Sequence, residues 1–225
     1  MWSHRLATYM GVVMADEFWL AFASLIVVMG PWKAGIVYAE KTALFPLHLR
    51  QIIAVAAVAI AFAIALVFVV VGADLVAFFH ISDAAFLVAA GLLLLVFAIR
   101  MVILEDHHEA PVEAVDPEEL ESRAYRLAAY PLAVPLLITP PGIVTLVALS
   151  VEEDVTEWNT IALIGAVIVV LLFDLIVFLV EARWHDVIAK EIWEIAGRIL
   201  GVLLAGFGVT VIIQGLQLAG IVPGG

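Results

Sequence analysis

The sequence predicts an all-α membrane protein: six transmembrane helices forming two inverted three-helix repeats, with helices 1 and 4 broken at mid-membrane. Three observations lead there. Of the 225 residues, 65% are hydrophobic and 14% charged. A soluble domain is about half apolar and about a quarter charged, so the surplus apolar surface needs lipid to face. The apolar residues gather into six runs, and the first and fourth carry proline–glycine clusters near their middles.

The runs extend roughly from Phe18 to Tyr38, Ile52 to Gly72, Ala84 to Leu104, Leu127 to Leu149, Ile161 to Val180 and Ile199 to Val222. Each is near the ~20 residues that cross about 30 Å of hydrocarbon. In lipid each must satisfy its own backbone N–H and C=O groups, which selects helix. The polar–apolar alternation of a membrane barrel strand is not seen. The start, Met1-Trp2-Ser3-His4-Arg5, does not lead into a short apolar core with a cleavage site, so the first run is expected in the mature protein. A single transmembrane domain over residues 1–225 follows. It divides into a first repeat (1–104), an acidic cytoplasmic loop (105–127) and a second repeat (128–225).

Basic residues set the expected orientation. Lys41, Arg50, Arg100, Arg123, Arg126, Arg183, Lys190 and Arg198 all follow odd-numbered runs, and only Arg5 lies on the opposite side. By the positive-inside rule the odd loops are cytoplasmic and both termini extracytoplasmic, at the plasma membrane. Trp158, Trp184 and Trp193 stand at run ends, where they suit either an interfacial aromatic belt or packing against protein.

The formal net charge is -12, and eight acids fall between Glu105 and Glu121. That balance argues against nucleic acid as a partner, which needs clustered Lys and Arg. Asp116-Pro117-Glu118-Glu119 has the form of a helix start, with a capping Asp, an early Pro and acids at the positive dipole end. It predicts a short helix running into the fourth span. His107 and His108 lack the spacing of a metal site and read as part of a solvated tether. With no cysteine, disulfides, iron–sulfur clusters and thiolate metal sites are excluded.

The breaks carry the functional reading. The first run contains Met29-Gly30-Pro31, and the fourth Pro131, Pro135 and Thr139-Pro140-Pro141-Gly142. Proline removes a donor and frees a carbonyl, and such backbone survives in a membrane where it is buried in protein or lines a wet cavity. Pro31 lies 14 residues past Glu17, and Pro140 lies 14 past Arg126. Entering from opposite faces, the two breaks should meet near the midplane, an arrangement that points to a transporter site at a repeat interface. The alternative is that these prolines only kink packed helices.

Lys33 and Asp174 are the ionisable residues within apolar runs, each seven residues before an acid, Glu40 and Glu181. Each costs about 2.5–3.5 kcal/mol at a helix centre, so each needs a reason. They are expected at similar depth, as an ion pair or as a proton or cation site at Asp174; snorkelling to the interface is the alternative for Lys33. Ser24, Thr139, Thr145, Thr210 and Gln214 are expected to donate across helices, and Ala57, Ala61 and Ala65 to line a close-packed face, as are Gly197 and Gly201.

From Tyr130 to Thr145 the chain reads Tyr-Pro-Leu-Ala-Val-Pro-Leu-Leu-Ile-Thr-Pro-Pro-Gly-Ile-Val-Thr. This closely resembles the fourth-span signature of the MarC family of membrane proteins, in Pro131, Leu132, Pro135, Leu136, Leu137, Pro141, Gly142 and Thr145. Pro140 stands where that family usually has glycine. Phe79-His80-Ile81-Ser82, with Ala90-Gly91-Leu92 beyond it, resembles the family's third span, where a Phe-Gly-Ile-Ser element precedes an Ala-Gly-Gly run. Arg198 to Gly201 and Gln214 to Leu216 look familial too. The resemblance implies a six-span inner-membrane protein related to LysE-type exporters. Some archaeal members are described as transporters of small neutral amino acids. The first span departs from the family pattern with Gly30 before its proline and Lys33 two after.

The expected function is therefore secondary transport of small solutes, small neutral amino acids among them. Gly30, Pro31, Pro140, Pro141, Gly142 and Thr145 would surround the substrate, and Asp174 with Lys33 would couple an ion. No cofactor is expected beyond a coupling proton or sodium ion, and neither an enzyme's catalytic set nor a nucleotide-binding loop is seen. The expected partners are the bilayer and a small-molecule substrate, with a homo-oligomer left open. A non-transporting component of a stress or resistance complex is the alternative.

Overall fold

The second apolar run becomes the longest helix. After Pro46, whose φ suits a helix start, α3 spans Leu47–Phe78 over 32 residues. Its buried side is a row of small residues at helical spacing: Ala54, Ala57, Ala61 and Ala65. Short side chains let neighbouring backbones come close, which drives helix association where lipid offers no hydrophobic gain. The other side presents Val55, Val67, Val70 and Val71 outward, with Val70 60% exposed. Such a surface is tolerable only in lipid.

The computed structural model describes residues 18–103, 120–151, 157–183 and 190–223, and no strand occurs among them. In chain order the other helices are α1 (Phe18–Met29), α2 (Pro31–Thr42), α4 (Asp83–Ile103), α5 (Leu120–Leu127), α6 (Pro140–Ser150), α7 (Glu157–Arg183) and α8 (Lys190–Leu218). Between α5 and α6, Ala128–Leu137 is irregular, its turns interrupted by extended backbone at Tyr130 and Val134. Within α3, α4, α7 and α8 lie four stretches long and apolar enough to cross a membrane. The segment from Leu120 to Ser150, bent by 60°, makes a fifth if counted as one crossing. The first run is divided into α1 and α2; α2 has 12 residues, about 18 Å of rise, and does not cross a bilayer alone.

Several helix pairs pack together. α4 lies along α8, α3 lies along α7, and α2 packs on α7. The α4–α8 pair is antiparallel and held by glycines. A Cβ on Gly91 would stand 2.5 Å from the Gly208 carbonyl, and one on Gly208 would stand 2.9 Å from the Gly91 carbonyl. Gly215 meets the backbone of Ala84 and Val88 in the same way, at 2.8 and 2.9 Å.

The α3–α4 turn shows why the family resemblance places a glycine at position 80. His80 has φ 55, the left-handed conformation, and its N–H reaches the Ala77 carbonyl while that of Ile81 reaches Val76. This is the helix-ending pattern that glycine fills without a Cβ penalty. Ser82 then accepts from the Ala85 N–H at 3.3 Å and starts α4. His80→Gly is expected to stabilise the protein by about 1 kcal/mol, read as a rise in melting temperature. An unchanged or lower temperature would mean that the imidazole contributes more than the strain it imposes.

Several sequence expectations need correcting. Ser24 and Thr210 do not reach across helices; their hydroxyls donate to Leu20 and Gly206 carbonyls one turn back in their own helices. A hydroxyl four residues ahead of a strained acceptor finds it without any tertiary contact. Arg50, read as a loop cation, is buried, and its guanidinium donates to the carbonyls of Ala43 and Phe45. These carbonyls follow the end of α2, where a cation is favoured by the dipole. Asp116 to Glu119, His107, His108 and Trp184 lie outside the described residues, as do the side chains of Trp158 and Trp193.

Candidate functional site

Each break is built by proline. Gly30 is extended (φ -71, ψ 165) and Pro31 opens α2, so the helical hydrogen-bond ladder stops at Met29 and restarts beyond the proline. In the fourth run two residues preceding proline, Tyr130 (φ -140, ψ 126) and Val134 (φ -130, ψ 127), are extended. The proline ring excludes them from helical dihedrals. The Tyr130–Pro131 and Val134–Pro135 peptides are cis. Ile138 closes this segment by donating to Ala133 at 2.8 Å. Thr139 (φ -75, ψ 152) then caps α6, and its hydroxyl accepts from the Gly142 N–H at 3.0 Å.

The same hydroxyl joins the two breaks. Thr139 Oγ1 donates to the Val28 carbonyl at 2.9 Å, across 111 residues of sequence. Val28 lies in the last turn of α1, where carbonyls have no partner within the helix. Beside it, a Cβ on Gly142 would lie 2.7 Å from Met29 Cγ. Glycine is required there because the fully buried Met29 occupies the space a methyl would take. The first turn of α6 thus sits directly on the C-terminal end of α1.

Asp174 lies on α7 with no exposed surface, and neither carboxylate oxygen has a hydrogen-bond partner among the described residues. Its level follows from two contacts. Phe18 ring carbons stand 3.7 Å from a Cβ placed on Gly165, and the Tyr38 ring stacks on Phe178 with centroids 4.4 Å apart. The first run and α7 therefore travel side by side in the same direction. Counting one turn back from the stack on each segment puts Asp174 level with Ala34, about one turn past the break at Gly30.

Thr145, one turn into α6 from Pro141, is also fully buried, and its hydroxyl has no partner among the described residues. Helical side chains lean toward the N-terminus of their helix, so Thr145 leans toward the break. Two orphaned polar groups in an apolar interior are costly and call for a partner. Of the sequence-named residues, Gly30, Thr139 and Gly142 come together around Met29, with Pro140 and Pro141 in the adjoining turn. Lys33 lies in the first turn of α2, and its side chain, like that of Pro31, is outside the described residues. Sequence reasoning missed Val28, which carries no polar signal, and named Met29 only as a member of the first break. It also missed the Tyr38–Phe178 stack, since aromatic residues in an apolar run give no sign of pairing.

A model of the MarC family of integral membrane proteins matches residues 15–219. The chain belongs to this family. A UPF0056 membrane protein of Methanocaldococcus jannaschii is 31% identical over 204 residues, covering 89% of this chain and 96% of the relative. A UPF0056 membrane protein of Aquifex aeolicus is 28% identical over 88% of this chain and 91% of the relative. One of Archaeoglobus fulgidus is 25% identical over 88% and 92%. No solved structure matches the chain. As a MarC protein it sits in a lipid bilayer, and many valines, leucines and isoleucines lie exposed on its surface.

Proposed function

We propose that this MarC-family protein is a secondary transporter of small solutes, with small neutral amino acids as the favoured class. The observation that carries this reading is the Thr139 hydrogen bond to the Val28 carbonyl, which brings two interrupted helices together, with the buried Asp174 about one turn past the first break. Helix starts at Pro31 and Pro140 offer positive dipole ends to a substrate carboxylate, and the end of α1 offers carbonyls to a cation. Gly30, Pro31, Pro140, Pro141, Gly142 and Thr145 surround the substrate, and Asp174, with Lys33, couples a proton or sodium ion. The protein acts as a carrier and not as an enzyme.

Six crossings in two inverted repeats suit this reading. If α1 and α2 make one crossing, repeat mates are spans one and four, two and five, and three and six. Each pair is in contact: the breaks through Thr139, α3 with α7, and α4 with α8. Mates in contact are compatible with a pseudo-twofold axis through the bundle. The Gly91–Gly208 contact is reciprocal, each Cβ position facing the other's carbonyl, as expected on such an axis. With odd loops cytoplasmic at the plasma membrane, both termini lie outside.

The test is flux in proteoliposomes loaded with glycine or alanine. Pro141→Ala is expected to reduce flux about tenfold or more, because loosening the proline-fixed first turn of α6 misplaces its dipole end by about an ångström. Unchanged flux in a well-folded Pro141→Ala protein would remove the site, and no flux of either solute in the unaltered protein would remove the substrate class.

A further inference from the structure

We propose that the Tyr38–Phe178 ring stack is a gate that closes the Asp174 site on the side of the protein where Arg50 lies. The proposal rests on the transporter reading and names the residues that control access to its ion site. Both rings are fully buried and nearly parallel, at 4.4 Å between centroids and 8° between planes. Phe178 is one turn beyond Asp174 on the same buried face of α7, and Tyr38 is one turn beyond Ala34 on α2. Since the two segments run in the same direction, Ala34 and Asp174 lie behind the stack at one level. Glu181, also buried, lies on the other side of Phe178 along that face. Two buried carboxyl groups with an aromatic partition between them mark a cation path and the place where it is shut.

The partition is latched to a neighbouring helix through polar groups. Tyr38 Oη donates to the Arg50 carbonyl at 2.8 Å, and the Thr42 hydroxyl donates to the Tyr38 carbonyl at 2.7 Å. Arg50 Nε holds the Phe45 carbonyl at 2.8 Å. The Tyr38 ring is thereby tied to the start of α3. A stack held by one phenolic hydrogen bond and a flat ring contact has a discrete open alternative, in which Tyr38 releases the Arg50 carbonyl and the rings part. The closure seen here makes this conformation occluded on the Arg50 side.

The full chain lacks cysteine, so a single Ala34→Cys reports on access behind the stack. The probe is a charged, membrane-impermeant methanethiosulfonate, applied to either face of reconstituted vesicles. Slow labelling is expected in the otherwise unaltered protein. Tyr38→Phe, which keeps the ring and removes the latch, is expected to speed labelling about fivefold, the population shift worth one hydrogen bond. Phe178→Leu, chosen over alanine to preserve folding, is expected to speed it by about tenfold or more. Both effects should appear from the Arg50 face alone.

Unchanged labelling in both variants would overturn the gate. Acceleration from the opposite face, or equally from both, would overturn it as well, by showing general loosening. Labelling needs no transported solute, so the gate and the transporter reading can fail separately.

Discussion

A Gly91→Val protein is expected to lose about 3 kcal/mol or more of stability, and Gly208→Val a similar amount, because the added carbons meet backbone that cannot turn aside. The Gly91 Cβ position lies 2.5 Å from the Gly208 carbonyl and 2.8 Å from the Ile212 amide nitrogen, well inside van der Waals contact. The α4–α8 pair would have to separate along its length, giving up the packing that holds helices together in lipid. In detergent this amounts to a fall of about 6–12 °C in melting temperature for a chain of this size. Gly206→Val supplies the control, since nothing lies within 4 Å of its Cβ position. Equal effects at positions 206 and 208 would show that valine itself, and not the close approach, is responsible.

Replacing Asp174 should separate stability from function. A buried carboxylate with no partner among the described residues opposes folding, so Asp174→Leu is expected to raise stability by about 2–3 kcal/mol. The same change is expected to abolish ion-coupled flux, and Asp174→Asn, which preserves shape, should abolish it too. Groups kept at a cost to folding are found where activity requires them. A large loss of stability in Asp174→Leu would contradict this account, since it would mean that Asp174 serves as one half of a structural ion pair. Full coupled flux in Asp174→Asn would dismiss the residue from the mechanism.

The parts legible in the sequence follow from local physics. The unbroken spans show as apolar length, and the helix ends at Gly30–Pro31 and Thr139–Pro140 show as proline, whose ring dictates dihedrals at its own position and the one before it. The small-residue face at Ala57, Ala61 and Ala65 follows from helical periodicity alone. Other features were not legible. Ser24 and Thr139 are both short hydroxyls in apolar runs, yet one turns back to its own helix and the other bridges to Val28. Which acceptor a hydroxyl finds depends on the neighbour packed against it. Gly91, Gly208 and Gly215 were likewise indistinguishable in sequence from Gly206, which faces open space.

What this chain's sequence determines by itself is its solvent, its helical state and where its helices break, because these depend on residue type and spacing along one segment. It also determines that Asp174 must be accounted for, since no isolated helix in lipid can satisfy a carboxylate. Only the tertiary structure decides that the two breaks touch through Thr139, that Asp174 lies about one turn past the first of them, and that Tyr38 lies on Phe178. Those are relations between segments up to about 140 residues apart in sequence. They arise from how the helices fit together, and close packing admits one fit among the many that the pattern of apolar residues allows.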